Sequence, residues 1–195
     1  MKEILFVLLN EYADWEAANL AAEINRTDDF CVKTVSLDKK AVTSIGGFSV
    51  NIDYDINEAM TTDFAGLILI GGNLWRTEEA KEVAKLVTLA RDKNVLLAGI
   101  CDGTVYLGAN GMLNDCPHTS NQLSELQNFA KEKYTGAKYY ENKQAVRSGN
   151  LVTANGTANL EFTKEILIAL NIMSVDEAEQ WYNFYKLGFY EAAKQ

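Results

Sequence analysis

Val95-Leu96-Leu97-Ala98-Gly99-Ile100-Cys101-Asp102-Gly103 joins an apolar run to a Gly-x-Cys-x-Gly spacing, and a helix-forming segment follows at once. This is the order of a nucleophile elbow, a sharp strand-to-helix turn, with cysteine where serine usually stands. A nucleophile on such a turn takes a strained backbone conformation. Small residues two positions to either side let neighbouring segments close in without clash. The Cys101 thiol then projects above the carboxyl end of a sheet, at a helix N-terminus whose partial positive charge favours thiolate.

The segments on either side alternate between strand and helix patterns. Residues 4–9 form a continuous apolar run, as a strand buried on both faces requires. Asp14 is placed to cap a helix with Ala17, Leu20, Ala21 and Ile24 at helical spacing. Residues 31–37 alternate and are β-branched, a second strand. Residues 45–53, with Gly46-Gly47, read as a hairpin. Residues 67–70 form a buried strand ending at Gly71-Gly72. Residues 78–93 make an amphipathic helix with Ala80, Val83, Val87 and Ala90 on one face. After the elbow strand, residues 120–133 read as helical, and residues 145–147 and 151–154 flank the hairpin signal Ser148-Gly149-Asn150. Residues 159–171 form a mostly apolar helix, and a last helix covers about 175–187, with Gly188 as its stop. Such alternation predicts an α/β fold: a mostly parallel sheet with helices on both faces. Sites in such sheets lie beyond the carboxyl ends of the strands. Three segments converge there: the loop from Glu11 to Glu16, Gly71-Gly72-Asn73, and the elbow.

Length and composition narrow the function classes. The 195 residues suit one domain, spanning 1–195, that buries a core without disulfides or metal. The formal net charge of -9 and the lack of any basic run argue against nucleic acid and anionic membrane surfaces. Cys31, Cys101 and Cys116 are odd in number and scattered, which is not a disulfide framework and suits a reducing cytoplasm. Residues 1–10 hold an apolar run too short for a signal peptide, and no segment reaches the roughly 20 apolar residues of a membrane span. The single histidine argues against a histidine-rich metal site, and neither the phosphate loop nor the dinucleotide fingerprint is present. The expected metal and cofactor complement is therefore none.

The elbow defines the candidate chemistry. Cys101 is the candidate nucleophile, whereas Cys31 and Cys116 read as structural. The backbone N–H of Asp102 and that of Gly72 are candidate oxyanion donors, since glycine lets backbone approach a ligand closely. Glu16, near the start of the first helix, can donate a proton to the sulfur or accept one from it. Glu11 and Asp14 compete for that role. A cysteine hydrolase normally pairs its nucleophile with histidine. The one histidine, His118, lies in Cys116-Pro117-His118-Thr119-Ser120-Asn121, in the loop after the elbow helix, and is a candidate assistant. The aromatic residues Trp181, Tyr182, Phe184, Tyr185, Phe189 and Tyr190 read as rings packed on the sheet or in a dimer surface, with a binding or chaperone role as the alternative.

With these residues in place, the chain resembles the ThiJ/PfpI superfamily, the cysteine-elbow relatives of class I glutamine amidotransferases, nearly from end to end. Glu16 matches the family's glutamate beside the nucleophile. Ile70-Gly71-Gly72-Asn73 is similar to the glycine pair that completes its oxyanion hole. Ala98-Gly99-Ile100-Cys101 matches the elbow, and the segment from Leu107 to Leu113, with Gly111, matches the elbow helix and its turn. Val152-Thr153-Ala154-Asn155-Gly156-Thr157-Ala158, before Glu161-Phe162, is similar to the last strand, loop and helix start. The nearest branch is that of intracellular protease/amidase proteins. The resemblance implies a flavodoxin-like three-layer sandwich, usually a homodimer, with Asn73, Asn121 and Asn155 beside the substrate. Family members are described as peptidases, amidases, glyoxalases or deglycases, chaperones and oxidative-stress sensors. The histidine that PfpI-type peptidases carry after the nucleophile is Asp102 here. The histidine other members carry ten residues beyond Gly111 is Asn121. The resulting expectation is a cysteine-dependent hydrolase, amidase or glyoxalase-type enzyme acting on a small carbonyl or amide through Cys101. The alternative is a stress sensor with an oxidisable Cys101.

Overall fold

A computed structural model describes residues 1–192 and Lys194. In chain order the elements are β1 (Lys2–Val7), α1 (Asp14–Asn25), β2 (Phe30–Ser36), β3 (Val42–Thr43), β4 (Ser49–Val50), β5 (Tyr54–Asp55), α2 (Ile56–Thr61) and β6 (Phe64–Leu69). A 3-10 turn, Glu79–Val83, then runs into α3 (Ala84–Asp92). There follow β7 (Leu96–Ile100), α4 (Asp102–Ala109), α5 (Leu123–Ala130), β8 (Ala145–Ser148), β9 (Leu151–Ala154), α6 (Asn159–Ala169), α7 (Val175–Leu187) and α8 (Phe189–Ala192).

Seven strands form the main sheet in the order β5-β2-β1-β6-β7-β9-β8. All neighbours pair in parallel except β8, which runs antiparallel to β9. The continuous apolar runs follow from burial on both faces. In the first strand and its extension, Leu5, Val7 and Leu9 join one core and Ile4, Phe6 and Leu8 the other. In β6 and the residue after it, Leu67 and Leu69 divide from Ile68 and Ile70 in the same way. Side chains of α2 to α5 fill the first core, and those of α1 and α6 fill the second. This is the three-layer, flavodoxin-like α/β sandwich expected, and β1, β6, β7 and β9 all end at one edge.

The differences lie in short or local elements. Asp14 does not cap α1 with its side chain: it is the first helical residue, and its carboxylate instead accepts the Gly46 N–H at 2.8 Å. The expected 45–53 hairpin is the β3–β4 pair, joining Val42–Thr43 to Ser49–Val50. Beyond it, β5 adds a parallel edge strand. Helix α2 was not foreseen, although Asp55 and Glu58 form a capping box at its start. The segment 78–93 opens as a 3-10 turn before becoming α-helical. The segment 120–133 is α-helical only over Leu123–Ala130. Helix α7 ends at Gly188, whose φ of +85° suits its role as the stop. It packs on α6 rather than on the sheet, and Phe184, Tyr185, Phe189 and Tyr190 are exposed. Among the described residues, no helix is long and apolar enough to cross a membrane.

Candidate active site

The elbow forms as its spacing requires. Strand β7 delivers Cys101 to the carboxyl edge with φ +55°, a strained value for a residue with a side chain, and α4 begins at the next residue. A Cβ at Gly103 would lie 2.4 Å from the Leu69 carbonyl oxygen, so only glycine lets α4 settle this close to β6. Thr104, fully buried, donates its hydroxyl to the carbonyls of Gly99 and Ala154, at 2.6 and 3.1 Å. The Cys101 N–H bonds the Ala154 carbonyl at 3.0 Å. The turn is thus locked to β9 as well as to its own strand.

Glu16 is the carboxylate brought to the sulfur. It is 1% exposed, and its Oε2 accepts the Gly71 N–H at 2.8 Å. A Cβ at Gly71 would sit 2.4 Å from that Oε2 and 2.6 Å from the Cys101 Cβ, so the glycine is a steric requirement of the site. A Cβ at Gly156 would lie 3.0 Å from Cys101 Sγ and 3.2 Å from Glu16 Oε1, which places both atoms against one small patch of the loop after β9. Three successive residues of the first turn of α1 hold three separate segments. Asp14 holds the β3–β4 hairpin through Gly46. Trp15 donates its indole N–H to the Gly156 carbonyl at 3.2 Å. Glu16 holds Gly71.

Asn121 takes the position beside the sulfur. Its Oδ1 accepts the Gly156 N–H at 2.8 Å, which turns Nδ2 toward Cys101 Sγ at 3.3 Å. The side chain can only donate to the sulfur in this orientation, so it cannot act as a base. His118, the expected assistant, is not brought to the thiol. It is fully buried, with Nδ1 at 2.8 Å from the Cys116 carbonyl and Nε2 at 2.7 Å from the Tyr134 hydroxyl. Both ring nitrogens are satisfied, and burial holds its pKa below the usual histidine value. Asn155 braces its own loop, accepting from Thr157 and donating to Gln144. Asn73 donates through Nδ2 to Glu11 at 3.0 Å. Glu11 and Asp14, the competitors for the role of Glu16, have these other partners.

The two candidate oxyanion donors, the N–H groups of Gly72 and Asp102, belong to segments that end at this edge of the sheet. Gly72 faces Tyr12 in an antiparallel bridge, and a Cβ there would lie 2.5 Å from the Glu11 carbonyl oxygen. Its N–H donates to no protein acceptor among the described residues. The Asp102 N–H begins α4 and favours the thiolate form of Cys101.

Electrostatics depart from the expected acidic thiol. Burial, and then the charge of Glu16, push the Cys101 thiol up to about 11, outweighing Asn121 and the Asp102 N–H. Burial lifts the Glu16 carboxyl to about 7, against the opposing Gly71 hydrogen bond and the nearby thiol, and Oε1 finds no hydrogen-bond partner among the described residues. At neutral pH the thiol therefore keeps its proton, and the neighbouring carboxyl is poised to exchange one.

The Asp102 carboxylate turns away from the sulfur. Arg76 grips it through two bonds, Nε to Oδ2 at 2.8 Å and Nη2 to Oδ1 at 2.7 Å, and reaches Glu125 at 2.7 Å. The acid after the nucleophile is thus offset by a fork-shaped cation. Sequence reading missed Arg76, Gly156 and Trp75. The Trp75 indole N–H bonds the Ile70 carbonyl at 2.7 Å and pins the loop after β6. The run Gly71-Gly72-Asn73-Leu74-Trp75-Arg76 was a signal for two of them, since it leaves the sheet edge where the site lies. A cleft of about 620 Å³ opens beside this loop, lined by Asn10, Glu11, Thr43, Ser44, Ile45 and Asn73.

Similarity to known proteins extends over most of the chain. A family model described as DJ-1/PfpI family matches residues 2–169. A protein of Bacillus subtilis called "Uncharacterized protease YdeA" is 40% identical over 190 residues, covering 97% of this chain and 94% of that one. The solved thiJ/pfpI family protein from Bacillus anthracis is 32% identical with a TM-score of 0.90, over 99% of this chain and 94% of that one. The DJ-1 superfamily protein Atu0886 from Agrobacterium tumefaciens is 33% identical with a TM-score of 0.87, over 96% and 98% of the two chains.

Proposed function

Because this chain belongs to the DJ-1/PfpI family, we propose that it is a cysteine-dependent enzyme of the hydrolase, amidase or glyoxalase type, acting on a small carbonyl or amide. The observation that carries this reading is the burial of Glu16 beside Cys101, with Sγ and Oε1 both against Gly156, where burial raises the carboxyl to about 7. Ionised Glu16 takes the thiol proton as Sγ attacks the carbonyl carbon. The carbonyl electron pair moves onto oxygen, which the N–H groups of Gly72 and Asp102 receive. Protonated Glu16 then returns the proton to that oxygen or to a leaving amine. Asn121 steadies the sulfur throughout. In this reading a single carboxyl does the work that peptidase relatives divide with histidine, and His118 remains structural. With Asp102 and Asn121 at the positions where those relatives carry histidine, this reading favours small substrates over peptides.

The test is a panel of dicarbonyl, amide, ester and peptide substrates with the wild type and Cys101→Ser. Turnover of a small carbonyl or amide, abolished in Cys101→Ser, is expected. A fully active Cys101→Ser protein would refute it.

A second reading, an oxidative-stress sensor, draws on the same donors. Protonated Glu16, the Asn121 amide and the Asp102 N–H could hold the oxygens that sulfur gains as peroxide is reduced to water. Mass spectrometry after mild peroxide is expected to find oxidation concentrated on Cys101. Equal oxidation of Cys31, Cys101 and Cys116 would defeat this reading.

A further inference from the structure

We propose that the cleft beside Gly72 is a subsite for a positively charged substrate group, an ammonium or guanidinium, with Glu11 as its counter-charge. The inference rests on Cys101 being the reacting atom, and it adds the class of substrate. The cleft, about 620 Å³, is lined by three side chains of the β3–β4 hairpin and its approach, by Asn10 and Glu11 after β1, and by Asn73. Glu11 is the one charged residue in that lining. The other polar groups are amides and hydroxyls, which accept hydrogen bonds as readily as they donate them.

The position of the cleft relative to the elbow sets the substrate geometry. Gly71 lies against Cys101, and Gly72 supplies an oxyanion donor. Asn73, two residues beyond Gly71 and so at most roughly 7 Å away, holds the Glu11 carboxylate through Nδ2. A substrate whose carbonyl meets Sγ would reach Glu11 with a group a few bonds further on.

Glu11 is held there against its backbone preference. Its φ is +59°, in the region that residues with side chains rarely adopt. Two backbone bonds fix it: its N–H to the Thr43 carbonyl at 2.7 Å, and its carbonyl accepting the Asn73 N–H at 3.2 Å. The side chain is fixed through Oε2 alone, and Oε1 takes no protein donor among the described residues. A strained, exposed carboxylate in the lining of a cleft, on the residue whose carbonyl oxygen crowds Gly72, is suited to recognition. The whole chain, with 27 acidic and 18 basic residues, reinforces attraction of cations.

The experiment uses Cys101 as its own reporter. Three thiol reagents of one chemistry and different charge are compared: aminoethyl (cationic), methyl (neutral) and sulfonatoethyl (anionic) methanethiosulfonate. Modification is followed on the peptide that carries Cys101, in the wild type and Glu11→Gln. Glu11→Gln is expected to slow the cationic reagent about threefold and to speed the anionic one about as much, with the neutral rate unchanged. High salt should shrink both effects. An unchanged cation-to-anion ratio overturns the proposal, and so does a change that the neutral reagent shares. Absence of any cysteine-dependent turnover would defeat the enzymatic reading while leaving these ratios to be judged on their own.

Discussion

Replacing Glu16 by glutamine separates two roles that a carboxyl beside a cysteine can play. If Glu16 served to make thiolate, its loss would leave a less acidic thiol. The geometry predicts the opposite. Sγ and Oε1 each lie about 3 Å from the point a Cβ on Gly156 would occupy, so they lie within about 6 Å of each other. Two unit charges 4–6 Å apart at an effective dielectric near 20 repel by about 3–4 kcal/mol, or about two to three pK units. Glutamine keeps the shape and can still accept the Gly71 N–H, but its dipole and residual burial retain part of the effect. The thiol of Glu16→Gln should therefore fall about one to two units below the wild-type value of about 11. Turnover should nevertheless be lost, because no group remains to carry the proton. The thiol pKa is read from the pH dependence of alkylation at Cys101, and turnover from the substrates of the panel. A thiol made less acidic by Glu16→Gln, or turnover that survives it, would refute the assignment of Glu16 as the proton carrier.

Glu16 also links stability to pH. Its folded pKa of about 7 exceeds the ordinary 4.5, so the folded chain holds this proton more tightly than the unfolded chain. Its contribution is complete below about pH 4.5 and is lost as pH rises to about 7, a difference of about 3 kcal/mol that denaturant melts should show in the wild type and not in Glu16→Gln. Gly156→Ala should lower turnover with only a small change in melting temperature, because the added Cβ crowds the Cys101 side chain and Glu16 Oε1 at 3.0–3.2 Å; a fully active Gly156→Ala would show that the loop yields. Arg76→Met leaves the Asp102 carboxylate uncompensated, and should raise the Cys101 pKa while lowering stability by about 1 kcal/mol after solvent screening. An unshifted alkylation profile would count against that coupling.

The parts of the molecule legible in the sequence are those in which one short run carries both geometry and chemistry. The elbow residues Gly99, Cys101 and Gly103, the glycine pair at Gly71-Gly72, and the four apolar strands that end at the site are of this kind. Each is specified by local sterics or by alternation between two cores. The orientation of Asn121 is different, because it depends on the Gly156 N–H, 35 residues away. The partner of Asp102 is likewise non-local, being Arg76 on the loop from a neighbouring strand. His118 sits close to the site in sequence, yet the Tyr134 hydroxyl and the Cys116 carbonyl hold its ring in the interior. Strands of two residues, such as β5, are too short to show a period. The raised thiol pKa is not legible in the sequence, because a helix terminus can be read there, whereas desolvation by packed neighbours cannot.

The first turn of α1 has a consequence for how this protein tolerates change in length. Surface loops usually accept insertions and deletions at little cost. The loop from Asn10 to Ala13 ends at Asp14, Trp15 and Glu16, whose three bonds run to the hairpin, to the loop after β9 and to the glycine pair. Adding or removing one residue just before Asp14 would shift this register and turn the helix by about 100°. Trp15, after an insertion, or Ala17, after a deletion, would then face the sulfur in place of Glu16, and all three attachments would be lost together. A segment that looks like an ordinary connection is thus one where substitutions are tolerated far better than a change of length.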